Sequence, residues 1–316
     1  MSVEHPEDVA ANALRHISRD QAIKAYTQEN AAIHEVLLRA ARRFIGGETL
    51  AECLETTRAL QEQGCAVTID YMGENTDDEM MAQQATGEFL RVIQAIAAHK
   101  LDATVSLDLS HIGLAVDAEL ALRNASALAQ AARAAGTEIM ISMEGTERID
   151  EIIALHQRLC EDYDNVGITL QAYLRRTTND LSSALQRPGR IRLVKGTFEE
   201  APGVAEPRGE ILNRGYRDYM EILLLSDHPC SIATHDLNLL NAAHKFIRRQ
   251  KLKKHPFEFE MLYGVTPEHL QMVRARGYRA RVYLPYGREW YLYLCHRLAE
   301  YPPNIYRAIG DAAAMD

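Results

Sequence analysis

The sequence predicts an α/β protein built as a (β/α)8 barrel behind an N-terminal helical arm, and three observations carry that expectation. Eight short β-branched or apolar runs follow one another from residue 65 onward. They recur every ~20 to 40 residues, which is room for one strand, one helix and their loops. Most are apolar without clear alternation, as strands covered on both faces of a parallel sheet are. None is followed by the GxGxxG turn that a doubly wound open sheet would favour.

The arm comes first. Ala10, Leu14 and Ile17, then the stretch from Ile23 to Leu38, place apolar residues at three- and four-residue steps between charges, the period of helices. In RRFIGGETL, Gly46 and Gly47 read as a helix C-cap and turn, with Glu48 and Thr49 opening the next helix. The strand runs are CAVTID (65–70), ATVSLDL (103–109), EIMIS (138–142), VGITLQAY (166–173), IRLVKG (191–196), CSIATH (230–235), FEFEMLYG (257–264) and RARVYLPYG (279–287). No low-complexity linker divides them. The expected organisation is an arm over residues 1–60 and one barrel over 61–316.

Composition narrows the function. The chain has 316 residues, 47% hydrophobic and 25% charged, with 35 Lys and Arg against 44 Asp and Glu, a formal net charge of −9. Neutralising phosphates takes clustered Lys and Arg, so nucleic acid is not expected as a partner. No stretch approaches the ~20 apolar residues that cross a bilayer, and the opening MSVEHPEDVA is acidic where a signal peptide is basic. A cytoplasmic protein with no transmembrane segment is the expectation. The five cysteines are scattered without a CxxC pair, and the 12 histidines form no HxH or HExxH set. Neither a disulfide framework nor a metal site is expected.

Chemistry on such a barrel gathers at the C-terminal strand ends. Those ends carry twelve polar residues: Asp70, Asp108, Ser142, Glu144, Gln171, Arg192, Lys195, Thr234, His235, Glu260, Tyr263 and Tyr283. One polar residue at a strand end is often merely solvated; so many around one mouth favour a site. The last unit, YLPYGREWYLYLCHRLAE (283–300), turns at Pro285 and Gly287 into a helix from about Arg288. On it, Tyr293, His296, Arg297 and Glu300 lie at offsets 0, +3, +4 and +7, so one face presents all four. The plain structural alternative is an exposed face with a pair between Arg297 and Glu300.

With that helix the sequence resembles the proline dehydrogenase family, FAD-dependent enzymes built on a distorted (β/α)8 TIM barrel. The resemblance covers nearly the whole chain from about residue 40 and rests on ordered motifs. They are ARRFIGGET, VTIDYMGEN, VSLDLSHIGL, MEGTER, ITLQAYLRRT, IRLVKG, ATHDLN, FEMLYG and the last unit. It implies FAD as cofactor, with Gln171, Arg192, Lys195, Thr234, His235 and Glu300 standing where the family holds the flavin. Gln171 can bond the isoalloxazine edge, while Arg192 and Lys195 can place positive charge near N1/N5 and the phosphates. Tyr283 and Tyr293 match the family's pocket tyrosines, and Leu262 matches the leucine that packs on the substrate ring.

The carboxylate clamp departs from the family's pattern. There, two adjacent arginines on the last helix and a lysine ending the second strand hold proline's carboxylate, beside an aspartate ending the third strand. Here the arginine pair reads His296-Arg297, the lysine position is Asp108 in VSLDLS, and the aspartate position is Ser142 in SMEG. Three cations and one anion become one cation, one anion and two neutral groups. Each charge-assisted hydrogen bond contributes ~1.5–3 kcal/mol, so carboxylate binding should weaken.

The implied reaction oxidises a C–N bond of a small amine to an imine by hydride transfer to flavin N5, with electrons passing on to a quinone or oxygen. Such transfer needs the amine unprotonated, and Asp108 or His296 could take its proton. The altered clamp points to a proline-like or modified amine that lacks the carboxylate, carries it elsewhere, or offers a cation to Asp108. An internal pair with Arg297 is the structural alternative for Asp108, and a hydrogen-bonded neutral imidazole is the one for His296. Ordinary L-proline dehydrogenation and a catalytically silent flavin-binding paralogue remain as other readings. A Schiff-base aldolase would need Lys195, which the flavin pattern claims. Quinone-reducing members leave room for peripheral membrane contact.

Overall fold

The computed structural model describes residues 5–198, 200–252, 256–301 and 303–313. Eight strands close into a barrel in sequence order: β1 Ala66–Tyr71, β2 Ala103–Leu107, β3 Ile139–Ile141, β4 Val166–Gln171, β5 Ile191–Val194, β6 Cys230–Ala233, β7 Phe257–Leu262 and β8 Ala280–Tyr286. Neighbours from β1 through β7 pair in parallel. Seven strands lie inside the expected runs, and β1 is displaced from its run by one residue. The outer layer alternates with them: α5 Glu79–His99, α6 Ala118–Ala134, α7 Ile149–Asp162, α8 Thr177–Ala184, α9 Glu210–Leu225, α10 Leu237–Gln250 and α11 Pro267–Ala275. Asp78, Asp117 and Asp236 accept amide hydrogen bonds at the starts of α5, α6 and α10, which fixes where those helices leave the strand ends.

The strands are less uniformly apolar than their sequences suggest. Outward positions such as Ile69, Val105, Leu107, Leu193, Ile232 and Phe259 are buried under the helices. Alternate positions carry Thr68, Ser106, Thr169, Arg192, Ser231, Glu258, Glu260 and Arg281, all buried and hydrogen-bonded to one another across the lumen. Near the floor, Arg281 donates to Glu258 at 2.6 Å, Ser231 donates to it at 2.7 Å, and Arg279 does so at 3.1 Å. Burial opposes ionisation of Glu258, but the charges of Arg281 and Arg190 and these hydrogen bonds outweigh it and hold the carboxyl at about 2. A barrel filled with ion pairs stays intact only if each lone pair and proton finds a partner.

The chain packs as two compact units. One comprises Met1–Thr57, Leu262–Val265 and Leu284–Asp316; the other comprises Arg58–Met261 and Thr266–Tyr283. Within the first, the expected arm is three helices, α1 Pro6–Ser18, α2 Gln21–Glu29 and α3 Ala31–Ala41, joined by α12 Trp290–Glu300 and α13 Pro303–Ala313. The Tyr291 hydroxyl donates to Ile17 O at 3.4 Å, and Arg43 binds Asp311 through two bonds of 2.5 and 2.7 Å.

The reading of Gly46-Gly47 as a C-cap needs correction. Helix α3 already ends at Ala41, and the Gly46 amide instead donates to Pro285 O at 2.8 Å. Gly47 sits at φ +115, where an added Cβ would fall 2.4 Å from Glu52 Cβ. Beyond it, α4 Leu50–Glu62 does open on Thr49: the Glu52 carboxylate accepts from the Glu48 and Thr49 amides, and Thr49 Oγ1 accepts from the Glu52 amide. Similarly α12 starts at Trp290, two residues later than the turn chemistry suggests.

Candidate active site

At the C-terminal end of the barrel, one guanidinium organises the lumen. Arg192, 4% exposed, donates through Nε to Thr169 Oγ1 at 2.9 Å and through Nη1 to Glu260 at 3.4 Å. Its Nη2 donates to Ser106 Oγ at 3.0 Å and to Ser142 Oγ at 3.2 Å. The same guanidinium lies 5.2 Å from the centroid of the Tyr283 ring. The Tyr283 hydroxyl donates in turn to Asp70, whose carboxyl burial lifts to about 6 against that bond and the Arg192 charge. Arg192, Ser142 and Tyr283, predicted from three separate motifs, therefore meet in one network.

Asp108 stands above it. Burial, and after it the charges of Glu144, Asp70 and Glu74, push its carboxyl well above the ordinary range; a hydrogen bond from Ser142 pulls the other way. Glu144 accepts the Ser110 amide at 3.0 Å and is itself raised, chiefly by burial. Beside them His111 stacks on Tyr71, with centroids 5.3 Å apart. Gly73 permits this approach, since a Cβ there would lie 2.2 Å from His111 Nε2. Four carboxyl groups thus crowd the mouth near β1, β2 and β3, where a bound cation would be favoured over an anion. Among the described residues no group of three or more His, Cys, Asp and Glu is placed to hold a metal ion.

The expected cofactor residues occupy the ends of β4 to β6. Gln171, 3% exposed, donates through Nε2 to Met143 O at 3.4 Å, while its Oε1 is buried without a hydrogen-bond partner among the described residues. A buried acceptor left so is costly, and an N–H donor on a bound ring would satisfy it. Lys195 pairs with Asp236 at 2.8 Å, and the Asp236 amide donates to Thr234 Oγ1 at 3.1 Å. His235 Nδ1 is hydrogen-bonded to Thr266 Oγ1 at 3.0 Å. A lysine engaged by a carboxylate is not free to attack a carbonyl, as Schiff-base chemistry requires.

On α12, Arg297 lies 5.0 Å from the centroid of the Tyr293 ring and donates to Glu300 at 2.7 Å, so these three do share a face. The pair of Arg297 and Glu300 is the one the spacing allowed. His296 is held below the ordinary imidazole range, first by burial and then by the Arg297 charge, so it supplies no second cation at neutral pH. Leu262 ends β7 and Tyr263 follows it, each partly buried.

A family model described as proline dehydrogenase matches residues 53–304. The chain belongs to the proline dehydrogenase family. It is 34% identical over 264 residues to proline dehydrogenase 1 of Bacillus subtilis subsp. natto, covering 84% of this chain and 87% of that protein. Over 269 residues it is 33% identical to the proline dehydrogenase of Deinococcus radiodurans, again covering 84% and 87%. The crystal structure of proline utilization A (PutA) from Bdellovibrio bacteriovorus, inactivated by N-propargylglycine, matches 97% of this chain with a TM-score of 0.79. At 19% identity that likeness concerns the fold alone, and this chain spans 39% of the PutA chain. The proline dehydrogenases among these relatives are oxidoreductases acting on CH–NH groups, and the family is flavin-dependent.

For this proline dehydrogenase family member, sequence reasoning missed several residues of the site. Ser106 carried a usable signal: it lies two residues before Asp108 in VSLDL, and a strand's period of two puts both on one face. Asp236 could have been found as the N-cap that ends ATHD before an amphipathic helix. Glu74 and Ser110 sit on irregular segments and had none.

Proposed function

We propose that this chain is an FAD-dependent dehydrogenase that oxidises the C–N bond of a small amine to an imine, and that its preferred substrate is not proline but an amine presenting a cation where proline presents its carboxylate. The observation that supports this most directly is Asp108, half-buried and faced by Asp70, Glu74 and Glu144 at the place where the family's clamp has a lysine. A carboxylate brought there would push these carboxyl groups further toward their protonated forms, whereas an ammonium would favour the ionised form of Asp108.

Gln171, Lys195, Thr234 and His235 would hold FAD, with Arg192 adding positive charge from the lumen. When bound, FAD supplies the hydride acceptor and passes electrons to a quinone or to oxygen. The chain's own residues do the rest. Asp108 receives the proton of the substrate ammonium and leaves the nitrogen lone pair free. Tyr283, held by Arg192 and Asp70, gives the pocket a fixed aromatic wall. The proposal extends to α12, where Arg297, with Tyr293 and Glu300 on the same helix face, would be the one cation kept from the family's clamp, and to Leu262 as a packing residue.

Anaerobic kinetics of flavin reduction test the reading. Carboxylate-free cyclic amines and diamines should give kcat/KM at least tenfold above L-proline, about 1.4 kcal/mol in transition-state binding. Oxidation of L-proline as efficient as that of ordinary family members would overturn it. The Asp108→Lys, Ser142→Asp, His296→Arg triple variant should gain proline activity, and absence of any gain would count equally against it.

A further inference from the structure

Strand β7 sends two glutamates into the lumen, each toward its own arginine. In FEFEML, Glu258 and Glu260 lie two residues apart and so share one face of the strand. Glu258 serves the floor, where Arg281 and Arg190 pair with it at 2.6 and 3.5 Å. Glu260 stands one step nearer the mouth and is 3% exposed. Its Oε1 accepts from Arg192 Nη1 at 3.4 Å and from Thr68 Oγ1 at 2.8 Å. The other side chains that accept from Arg192 are the hydroxyls of Thr169, Ser106 and Ser142. A hydroxyl offers a dipole but no net charge, and a guanidinium buried this deeply needs an anion. Glu260 is the one carboxylate within ion-pair distance of Arg192 among the described residues. Asp70 feels the same cation without forming an ion pair with it.

We propose that Glu260 is a positioning residue: as the buried counter-charge of Arg192, it holds that guanidinium in the lumen and sets how much positive charge reaches the bound flavin. The role rests on the flavin reading of the site; the pairing does not. Arg192 stays protonated at any working pH, so the charge it presents is adjusted by its partner and not by titration. The partner comes from β7, while Ser142, at the end of the strand directly across the closed barrel, offers Arg192 Nη2 only a neutral oxygen at 3.2 Å. With Glu260 in place the guanidinium is drawn toward β7, and its remaining field is that of a pair. Without Glu260 the same group would present a full unit of charge.

Two measurements on the full chain test this. The first is the midpoint potential of FAD bound to the purified holoenzyme, by dye equilibration. Glu260→Gln leaves Arg192 uncompensated, which favours the negative charge gained on reduction. The potential should therefore rise by about 30 mV, a tenfold change in a two-electron equilibrium. A glutamate with a merely structural role would leave it where it was. Adding Ser142→Asp to Glu260→Gln returns a carboxylate to Arg192 from the other side of the barrel and should bring the potential back. If Glu260→Gln alone fails to fold, that two-site variant should fold and keep the parent potential, and its failure would count against the pairing. The second measurement is a thermal-unfolding cycle over the parent, Glu260→Gln, Arg192→Gln and their combination, each as purified. Every single change strands a buried charge, so the combination should lose less than the sum of the two. A potential that stays or falls in folded Glu260→Gln, or losses that simply add, would overturn the proposal. Non-additive losses in a protein that takes up no FAD would uphold the pairing and sink the flavin reading; bound FAD with additive losses would do the reverse.

Discussion

A half-buried carboxyl group facing other carboxyl groups holds a proton more tightly than a free one, and Asp108 is in that position. If it accepts the substrate proton, kcat/KM should fall as pH drops through a value above the ordinary carboxylate range. Asp108→Asn should abolish that limb and lower the rate by about 10²-fold or more, as measured in a pH profile of flavin reduction. Asp70 gives a second prediction. Its folded-state value near 6 lies above the unfolded one, so the folded protein binds the proton more tightly, and stability falls as pH rises from about 4 through 6. Asp70→Asn keeps an acceptor for Tyr283 and should stabilise the protein by about 1–3 kcal/mol at pH 8, with no gain at pH 4, in denaturant unfolding. Asp108 and Ser142 were legible in the sequence because motif order fixed their place. Their shared network with Arg192 and Ser106 was not, since it depends on which strand faces turn inward together.

Among the elements, the strands were the most readable, because buried β-branched runs of three to seven residues have few other uses. Some of their polar alternates were passed over: ATVSL looks apolar on average, yet Ser106 joins Arg192 inside the lumen. The turn around Ser110–Leu114 was equally hidden, since its irregular backbone at Ile112 and Gly113 follows from packing and not from a local motif. At the barrel floor, Arg190 just before β5, Ser231 of β6 and Arg281 of β8 meet at Glu258. Removing its charge while leaving the cations buried should cost about 3–5 kcal/mol, so Glu258→Gln is expected to lower the unfolding midpoint sharply. A variant as stable as the parent in urea would refute that account of the floor.

For the whole molecule, the spacing of eight strand runs conveyed the barrel and the order of nine motifs the family, while the division of the fold into two compact units had no signature in composition. Two titrating groups, His156 and Asp70, set opposing slopes on its acid stability. His156 on α7 is 3% exposed, and burial drops its value to about 4, so the unfolded chain takes up the proton first and stability is lost as pH falls from about 6.5 toward 4. Asp70 acts in the contrary sense over much of the same window. His156→Gln should therefore leave a protein whose stability declines with rising pH between 4 and 6, and a titration of unfolding free energy that still rises there would refute it. The ion-paired floor also bears on descent. Any lone substitution at Glu258, Arg281 or Arg190 strands the others, so that end of the barrel can drift only by coordinated exchange. The mouth rests on serines, which tolerate change one at a time, and so novelty in what this lineage consumes should be recorded there first.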